Sequence, residues 1–318
     1  MKILVTGCAG FIGSHLTESL LNLRHKVIGI DSLDDYYDNN IKKINLNAIM
    51  FHKSFKFYNV NLLYIQEEHL TNVDLVVHLA GRPGVRPSIE NPQLYIDQNI
   101  SVTRSLLDCM LKKDVKKLVF ASSSSIYGNI KEYPYKEEMD TSFPVSPYGF
   151  TKKSCELLNF TYHNLYNLGV VNLRFFTVYG PRQRPDLAIS KFINQIIHKQ
   201  PITLYGDGSS ERDYTYISDI INGILASIEF LNQHPNIYQS INLGGSHPIK
   251  LLELIDTISQ ILEIKPVLNF LPKQAGDLEK TFADISKAQK MLGYQPKVSL
   301  KEGIREFIKW YLQQNQYQ

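Results

Sequence analysis

The chain has 318 residues, a length that fits about two domains. Its 34 basic and 31 acidic side chains leave a formal net charge of +3, which is too weak for a dedicated nucleic-acid or membrane surface. A hydrophobic content of 43% excludes global disorder, and no apolar run reaches the roughly 18 residues of a transmembrane helix.

Three cysteines, Cys8, Cys109 and Cys155, are far apart and odd in number. They indicate neither a disulfide framework nor a metal site. The apolar start of the chain stops at Thr6 and Gly7, too early for the apolar core of a signal peptide. These features favour a reducing, cytoplasmic setting.

In the N-terminal half, short apolar runs alternate with helical stretches. Strands are predicted at residues 2–6, 26–31, 56–59, 74–79, 117–121 and 170–175, and helices at 11–23, 94–112 and 148–168. This alternation predicts an α/β fold, a Rossmann-type doubly wound parallel sheet with helices on both faces.

After residue 176, prolines separate shorter elements, with helices predicted at residues 188–199, 217–230, 250–262 and 300–313. This pattern predicts a smaller, mixed α/β C-terminal substrate domain. We expect residues 1–175 to form a cofactor domain that carries the catalytic residues and residues 176–318 to form the second domain. Residues of about 213–243 are expected to return to the first domain.

A glycine-rich turn, with Gly7, Gly10 and Gly13, joins the first predicted strand to the first helix. Glycine permits a positive φ and a close approach to a pyrophosphate, and the helix N-terminus supplies N–H groups. Asp31 ends the second strand, 18 residues after Gly13, where a carboxylate accepts from ribose hydroxyls and repels a 2′-phosphate. The pattern therefore predicts NAD rather than NADP.

Two further segments lie where this cofactor would extend. Asn61 and Leu62 follow the third strand, where an adenine would lie, and the run Leu79, Ala80 and Gly81 ends the fourth. Small residues there allow the backbone to approach the cofactor.

Tyr148 and Lys152 are four residues apart, so a helix places them on one face. Ser146 fits the N-cap and Pro147 the first helical position. A neighbouring ammonium, the helix N-terminus and bound NAD⁺ are expected to favour the phenolate and so make Tyr148 a base. Residues 122–125 are four serines at the carboxyl end of the fifth strand, where a hydroxyl can relay the proton of a substrate alcohol.

With these motifs, the chain resembles the extended short-chain dehydrogenase/reductases of the nucleotide-sugar epimerase group. The resemblance runs from Thr6 to Phe307 and includes residues 122–128, 148–152, 174–181, 211–219 and 283–288. Within that group it is most similar to the UDP-glucuronate 4-epimerases, on residues 31–38, 84–86, 180–186 and 274–277. This likeness implies an NAD-dependent isomerase that inverts C4 of a UDP-sugar, converting UDP-glucuronate to UDP-galacturonate through a 4-keto intermediate.

The resemblance also implies roles for individual residues. The catalytic triad would be Ser123, Tyr148 and Lys152. The cofactor set would be Gly7, Gly10, Phe11, Ile12, Gly13, Asp31, Ser32, Asn61, Leu62, Leu79, Ala80, Gly81, Asn99, Ser122, Tyr148, Lys152 and Phe175. The substrate set would be Arg86, Ser123, Ser124, Ser125, Thr177, Arg184, Arg212 and Asp277, with Arg184 facing a sugar carboxylate and Arg212 the diphosphate. A homodimer would form through residues 94–112 and 148–168.

Several alternatives remain open at this point. Epimerases of UDP-glucose or UDP-N-acetylhexosamine are one; UDP-glucose/galactose enzymes usually carry arginine where this chain has Gln274. Dehydratases and decarboxylases are another, although they place an acidic residue just after the catalytic hydroxyl, where this chain has Ser124 and Ser125. A ketoreductase would consume free NAD(P)H, and a non-catalytic dinucleotide sensor usually lacks the tyrosine–lysine pair.

Overall fold

The computed structural model describes residues 1–272 and 278–315. The strands are β1 (Lys2–Thr6), β2 (Lys26–Asp31), β3 (Phe55–Asn59), β4 (Leu75–His78), β5 (Lys117–Ser123), β6 (Gly169–Phe175), β7 (Thr177–Tyr179), β8 (Ile202–Tyr205), β9 (Glu211–Tyr216), β10 (Tyr238–Leu243), β11 (Pro248–Lys250) and β12 (Leu268–Leu271). The helices are α1 (Phe11–Asn22), α2 (Asn39–Asn47), α3 (Val85–Glu90), α4 (Pro92–Tyr95), α5 (Val102–Lys112), α6 (Pro147–Tyr166), α7 (Ala188–Ile197), α8 (Ile217–Gln233), α9 (Leu251–Leu262), α10 (Ser286–Leu292) and α11 (Leu300–Asn315).

Seven parallel strands form the main sheet, in the order β10-β6-β5-β4-β1-β2-β3. The predicted doubly wound parallel sheet is therefore confirmed. The strand order reverses between β1 and β4, because the chain first builds outward through β2 and β3 and then returns to the other side of β1. At such a switch point the loops diverge to opposite faces and leave a crevice at the carboxyl ends of the strands.

Apolar side chains fill both faces of this sheet. In β1, Ile3 and Val5 join one core cluster with α1 and α8, while Leu4 joins a second cluster with α5 and α6. Successive side chains of a strand point to opposite faces, so a strand covered on both sides must be apolar at every position. This explains why the predicted strands are continuous apolar runs.

The C-terminal part of the chain builds a smaller lobe. It contains the sheet β11-β9-β7, the parallel pair β12-β8, and a third core in which Ile193, Leu254 and Phe307 are buried. The chain nevertheless crosses back, because β10 pairs with β6 at the edge of the main sheet and α8 packs against α1. The two lobes are thus interleaved along the sequence.

The described elements differ from the predicted ones mainly in short segments. The predicted helix 94–112 is a run of α4, the π-helical segment Ile96–Ser101 and α5. The sequence analysis did not predict α2, α3 and α10, which are nine residues or shorter and carry too few apolar positions to show a helical period. Across residues 1–272 and 278–315, no helix is both long and apolar enough to cross a membrane.

Candidate active site

The crevice at the switch point is a cavity of about 520 Å³, here called the switch-point cavity. Most of the predicted site residues line it. They are Gly7, Gly10, Phe11, Ile12, Gly13, Asp31, Ser32, Asn61, Leu62, Leu79, Ala80, Gly81, Ser122, Ser123, Ser124, Ser125, Tyr148, Lys152, Phe175, Thr177 and Arg184. Residues that lie up to 177 positions apart in the chain thus meet in one space, which places the predicted cofactor and catalytic groups side by side.

The glycine-rich turn needs its glycines for close packing. Gly7 has a φ of +71°, and a Cβ there would lie 2.9 Å from the backbone nitrogen of Ala80. A Cβ on Gly13 would lie 2.0 Å from the carbonyl oxygen of Gly7, so no side chain fits at that position. Helix α1 then begins at Phe11 without a side-chain cap, which leaves its positive end facing the switch-point cavity. This turn fits a dinucleotide pyrophosphate.

The carboxylate of Asp31 is held rigidly at the end of β2. Its Oδ2 accepts from the backbone N–H of Ala9 at 3.1 Å, and its Oδ1 accepts from that of Leu33 at 2.9 Å. Burial raises the pKa of this carboxyl, while the two N–H donors and the nearby Lys42 act in the opposite direction. The remaining lone pairs of a fixed carboxylate at this edge suit the two hydroxyls of a ribose.

Helix α6 starts as the sequence predicts. The Ser146 side chain caps it by accepting from the N–H of Gly149 at 3.1 Å, and Pro147 occupies the first helical position. Tyr148 lies in the first turn, and its own N–H donates to Oγ of Ser88 at 3.0 Å. The ring of Tyr148 also packs edge-on against Tyr95, with centroids 6.3 Å apart. The backbone of Tyr148 is thus held by Ser88, and its ring is held by Tyr95.

Opposing influences act on the pKa of the Tyr148 phenol. Burial raises the pKa of the phenol above its usual value. A hydrogen bond with Ser123 and the positive charge of Arg184 lower the pKa in opposition to burial. Without the cofactor, burial has the largest influence on this pKa, and Arg184 is a cation that acts against it.

Lys152 is buried one turn further along α6. Its Nζ donates to the carbonyl oxygen of Ala121 at 2.8 Å and lies beside Gly81, where an added Cβ would come within 3.4 Å. Burial lowers the pKa of this ammonium. The position, between the ends of β4 and β5, suits a contact with a cofactor ribose next to the phenol.

The side chains of the four consecutive serines make two kinds of contact. Oγ of Ser123 lies 3.2 Å from Oγ of Ser125 and accepts from the Ser125 N–H at 3.1 Å, and both residues line the switch-point cavity. Ser122 instead donates to Oε1 of Glu156 at 2.6 Å. That carboxylate forms a buried ion pair with Arg174, at 2.9 Å. The Ser122 side chain therefore hydrogen-bonds to a buried carboxylate, although the residue also lines the cavity.

Arg184 comes from the loop between β7 and α7. It is 16% exposed and donates twice to Asp186, from Nε and from Nη2, at 2.9 Å each. Its guanidinium carbon lies 5.4 Å from the ring centroid of Tyr36, a ring that also lies beneath Arg82 at 4.8 Å. A cation is thus present close to Tyr148 at the wall of the cavity.

Among the described residues, three predicted site residues do not line the switch-point cavity. Asn99 lies behind its wall in the π-helical segment, where it binds the backbone N–H of Arg82 at 2.6 Å and shapes the loop after Gly81. Arg86 lies over the ring of Tyr205 at 5.0 Å, and Arg212 donates to the neighbouring carbonyl oxygen of Glu211. Asp277, like Gln274, is outside the described residues.

The sequence analysis missed several charged, polar and aromatic residues that line the cavity. They are Asp34, Tyr36, Tyr37, Lys42, Arg82 and Gln98. Residues 31–38 drew notice only through the family resemblance. One further sequence feature could have revealed some of them. Two aromatic and several charged side chains follow directly after Asp31, and a loop beside a polar ligand often carries such a cluster.

Comparisons with known proteins agree with this geometry. The family model described as "NAD dependent epimerase/dehydratase family" matches residues 3–244, more than half of the chain. The chain belongs to the NAD-dependent epimerase/dehydratase family. A protein named UDP-glucuronate 4-epimerase from Thermodesulfobacterium geofontis (strain OPF15) is 42% identical over 312 residues, which cover 96% of this chain and 95% of that protein.

Solved structures of this epimerase family share the whole fold. UDP-glucuronic acid 4-epimerase from Bacillus cereus, solved with UDP-glucuronic acid and NAD, superposes with a TM-score of 0.94 at 39% identity, over 99% of this chain and 100% of that one. UDP-N-acetylglucosamine 4-epimerase from Methanobrevibacter ruminantium M1, solved with UDP-N-acetylmuramic acid, gives 0.90 at 32% identity, over 98% of each chain. The glycine turn, Asp31 and Lys152 of this chain fit the NAD on which its family depends.

Proposed function

We propose that this chain is an NAD-dependent epimerase that inverts C4 of UDP-glucuronate to give UDP-galacturonate. The observation that carries the proposal is the meeting of Ser123, Tyr148, Lys152 and Arg184 in the switch-point cavity, next to the glycine turn and Asp31. The name of the relative from Thermodesulfobacterium geofontis and the UDP-glucuronic acid bound to the Bacillus cereus enzyme support the same substrate. NAD⁺ bound here supplies a site that accepts a hydride and returns it, so the reaction has no net redox partner.

The chain itself supplies proton transfer. Ser123 and Tyr148 share a hydrogen bond, so the serine hydroxyl can pass the proton of the sugar 4-hydroxyl to the phenolate oxygen and later return it to the opposite face. Buried Lys152 orients the ribose beside them. The flat 4-keto sugar must turn over between the two transfers, and the UDP part provides the remote binding energy that keeps it in place.

Arg184 supports a uronate rather than a neutral sugar. The 4-keto form of a uronate is a β-keto acid, which loses CO₂ when its C5–C6 bond aligns with the ketone π system. A guanidinium with hydroxyls of Ser124 and Ser125 nearby can hold the carboxylate out of that alignment. A carboxylate just after the catalytic hydroxyl, as dehydratases and decarboxylases carry, has no counterpart at Ser124 and Ser125.

The test is product analysis without added cofactor. Purified protein is incubated separately with UDP-glucuronate, UDP-glucose and UDP-N-acetylglucosamine, and the products are resolved by chromatography. We expect UDP-galacturonate from the first alone. Conversion of a neutral sugar would favour a hexose epimerase, a UDP-pentose would indicate a decarboxylase, and no conversion of any of the three would contradict the proposal.

We further propose that the protein works as a homodimer in a reducing, cytoplasmic compartment. Helix α6 presents three exposed apolar side chains on one face, Phe150, Leu157 and Phe160. An exposed apolar stripe of this kind marks an interaction surface, and a second copy of the helix offers a matching one. The three cysteines are buried free thiols, which suits a reducing compartment.

A further inference from the structure

Arg184 is held along one edge by a carboxylate of its own loop. Its Nε donates to Oδ1 of Asp186 and its Nη2 to Oδ2, each at 2.9 Å. A guanidinium carries five N–H donors in one plane, so this side-on pair uses two of them. The end-on edge, with Nη1 and the second N–H of Nη2, is left for another carboxylate in the same plane.

The flat face of the same guanidinium is restrained by an aromatic ring. Tyr36 lies 5.4 Å from the guanidinium carbon of Arg184, and Arg82 lies over the same ring at 4.8 Å. Arg82 in turn pairs with Asp34 at 3.2 Å. Ring and carboxylate together fix both the plane of Arg184 and its rotation within that plane.

The loop that carries the pair is tied to the dinucleotide helix. Nε2 of His15, on α1, hydrogen-bonds the carbonyl oxygen of Pro181 at 2.9 Å, and Glu18 pairs with Arg182 at 2.8 Å. The backbone from which Arg184 extends is therefore anchored. The side chain, with its four rotatable bonds, needs its own restraint, and Asp186 provides one.

We propose that Asp186 is a positioning residue, which holds Arg184 so that its end-on edge receives the carboxylate of the substrate. The inference rests on the proposed function, since it assigns the uronate carboxylate to Arg184. Asp186 could instead compete with the substrate carboxylate for the guanidinium. The side-on pairing favours the positioning role, because the end-on edge of Arg184 stays available to the substrate. Asp186 is 40% exposed and does not line the cavity, so it acts through Arg184.

The first experiment measures binding. UDP-glucuronate, UDP-glucose and UDP are titrated calorimetrically into NAD-loaded protein carrying Tyr148→Phe, which prevents turnover, with and without Asp186→Asn. We expect the dissociation constant of UDP-glucuronate to rise roughly tenfold, as for the loss of a charge-assisted restraint, while the other two stay unchanged. Asp186→Glu keeps the charge and is expected to restore part of the affinity. Arg184→Ala should show the same selective loss.

The second experiment measures how firmly the carboxylate is held during turnover. In protein with Tyr148 intact, Asp186→Asn is expected to raise the share of turnovers that end in a UDP-4-keto-pentose. In that side reaction the hydride taken from C4 is not returned and stays on the nicotinamide. The C5–C6 bond breaks, its electron pair forms the enolate of the 4-ketone, the enolate takes a proton from water, and CO₂ leaves. Released CO₂ is counted by mass spectrometry against UDP-galacturonate formed.

Asp114→Asn is the matched control, since it removes the same charge from an exposed pair with Lys116 in the turn after α5. The proposal is overturned if Asp186→Asn binds and reacts as the control does. It is equally overturned if the variant weakens all three ligands alike, or if the parent protein does not prefer UDP-glucuronate to UDP-glucose. A parent that prefers UDP-glucuronate in the binding experiment but makes no UDP-galacturonate would reject the proposed function alone, and the binding comparison would still decide the role of Asp186.

Discussion

At the scale of single residues, opposing influences set the pKa of the Tyr148 phenol. Burial raises its pKa, and the hydrogen bond with Ser123 and the charge of Arg184 lower it. A tyrosine acts as a base only when deprotonated, so the rate must rise with pH up to the pKa of this group. The charge that NAD⁺ adds when bound acts in the same direction as Arg184.

Ser123→Ala should therefore change the pH profile as well as the rate. Loss of the hydroxyl removes an interaction that favours the phenolate, so the pKa of Tyr148 rises and the limb on which kcat/KM increases with pH moves to higher pH. Loss of the proton relay should lower kcat by about 10²-fold or more. Steady-state kinetics between pH 6 and 10 measure both effects, and an unshifted limb would count against this assignment.

At the scale of secondary-structure elements, a buried ion pair joins α6 to the main sheet. Glu156 on α6 and Arg174 on β6 have side chains only 3% and 5% exposed, and their atoms pair at 2.9 Å. Arg174 also donates to the hydroxyl of Tyr127 at 3.0 Å, while Glu156 accepts from Ser122. The pair thus connects the helix that carries Tyr148 and Lys152 to the strand end that carries the serines.

Replacing one residue of this ion pair should lower the free energy of unfolding far more than replacing both. Arg174→Met leaves a buried carboxylate uncompensated and should lower the free energy of unfolding by about 3–5 kcal/mol, whereas adding Glu156→Leu should recover a large part of it. Lys116→Met, in the exposed pair with Asp114, is the control and should cost at most about 1 kcal/mol. Urea unfolding measures all of these variants. Similar costs for the single and double variants would argue against this account.

At the scale of the whole molecule, two lobes enclose one site. The lobe built on the main sheet supplies the glycine turn, Asp31 and, on α6, Tyr148, while the loop before α7 brings Arg184 to the same cavity. The apolar stripe of α6 lies on the helix that holds Tyr148 and Lys152. Assembly through that stripe would therefore stiffen the catalytic helix.

Introducing carboxylates into the apolar stripe of α6 should dissociate the proposed dimer. Leu157→Glu and Phe160→Glu replace side chains that are 55% and 50% exposed, and each would bury a carboxylate in the interface. We expect light scattering at micromolar concentration to give a dimer for the parent and a monomer for the double variant. Phe51→Glu, at an isolated phenylalanine that is 93% exposed, is the control and should leave the dimer intact. A monomeric parent would contradict the interface.

The sequence by itself determined the frame of the main sheet and the local part of the site. Continuous apolar strands, a glycine turn before a helix, and a tyrosine four residues before a lysine are local patterns, because backbone period and turn geometry constrain neighbouring residues. The capped start of α6 at Ser146 and Pro147 was predictable for the same reason.

Only the tertiary structure decided which distant groups meet and what their charges do. Tyr36, Arg82 and Arg184 come from three loops, and no local period relates them. The hydrogen bonds between Ser122 and Glu156 and between Asn99 and Arg82 likewise join positions far apart in the chain. The pKa of Tyr148 depends on how much water the folded chain removes from around the phenol, a quantity that exists only once the long-range contacts have formed.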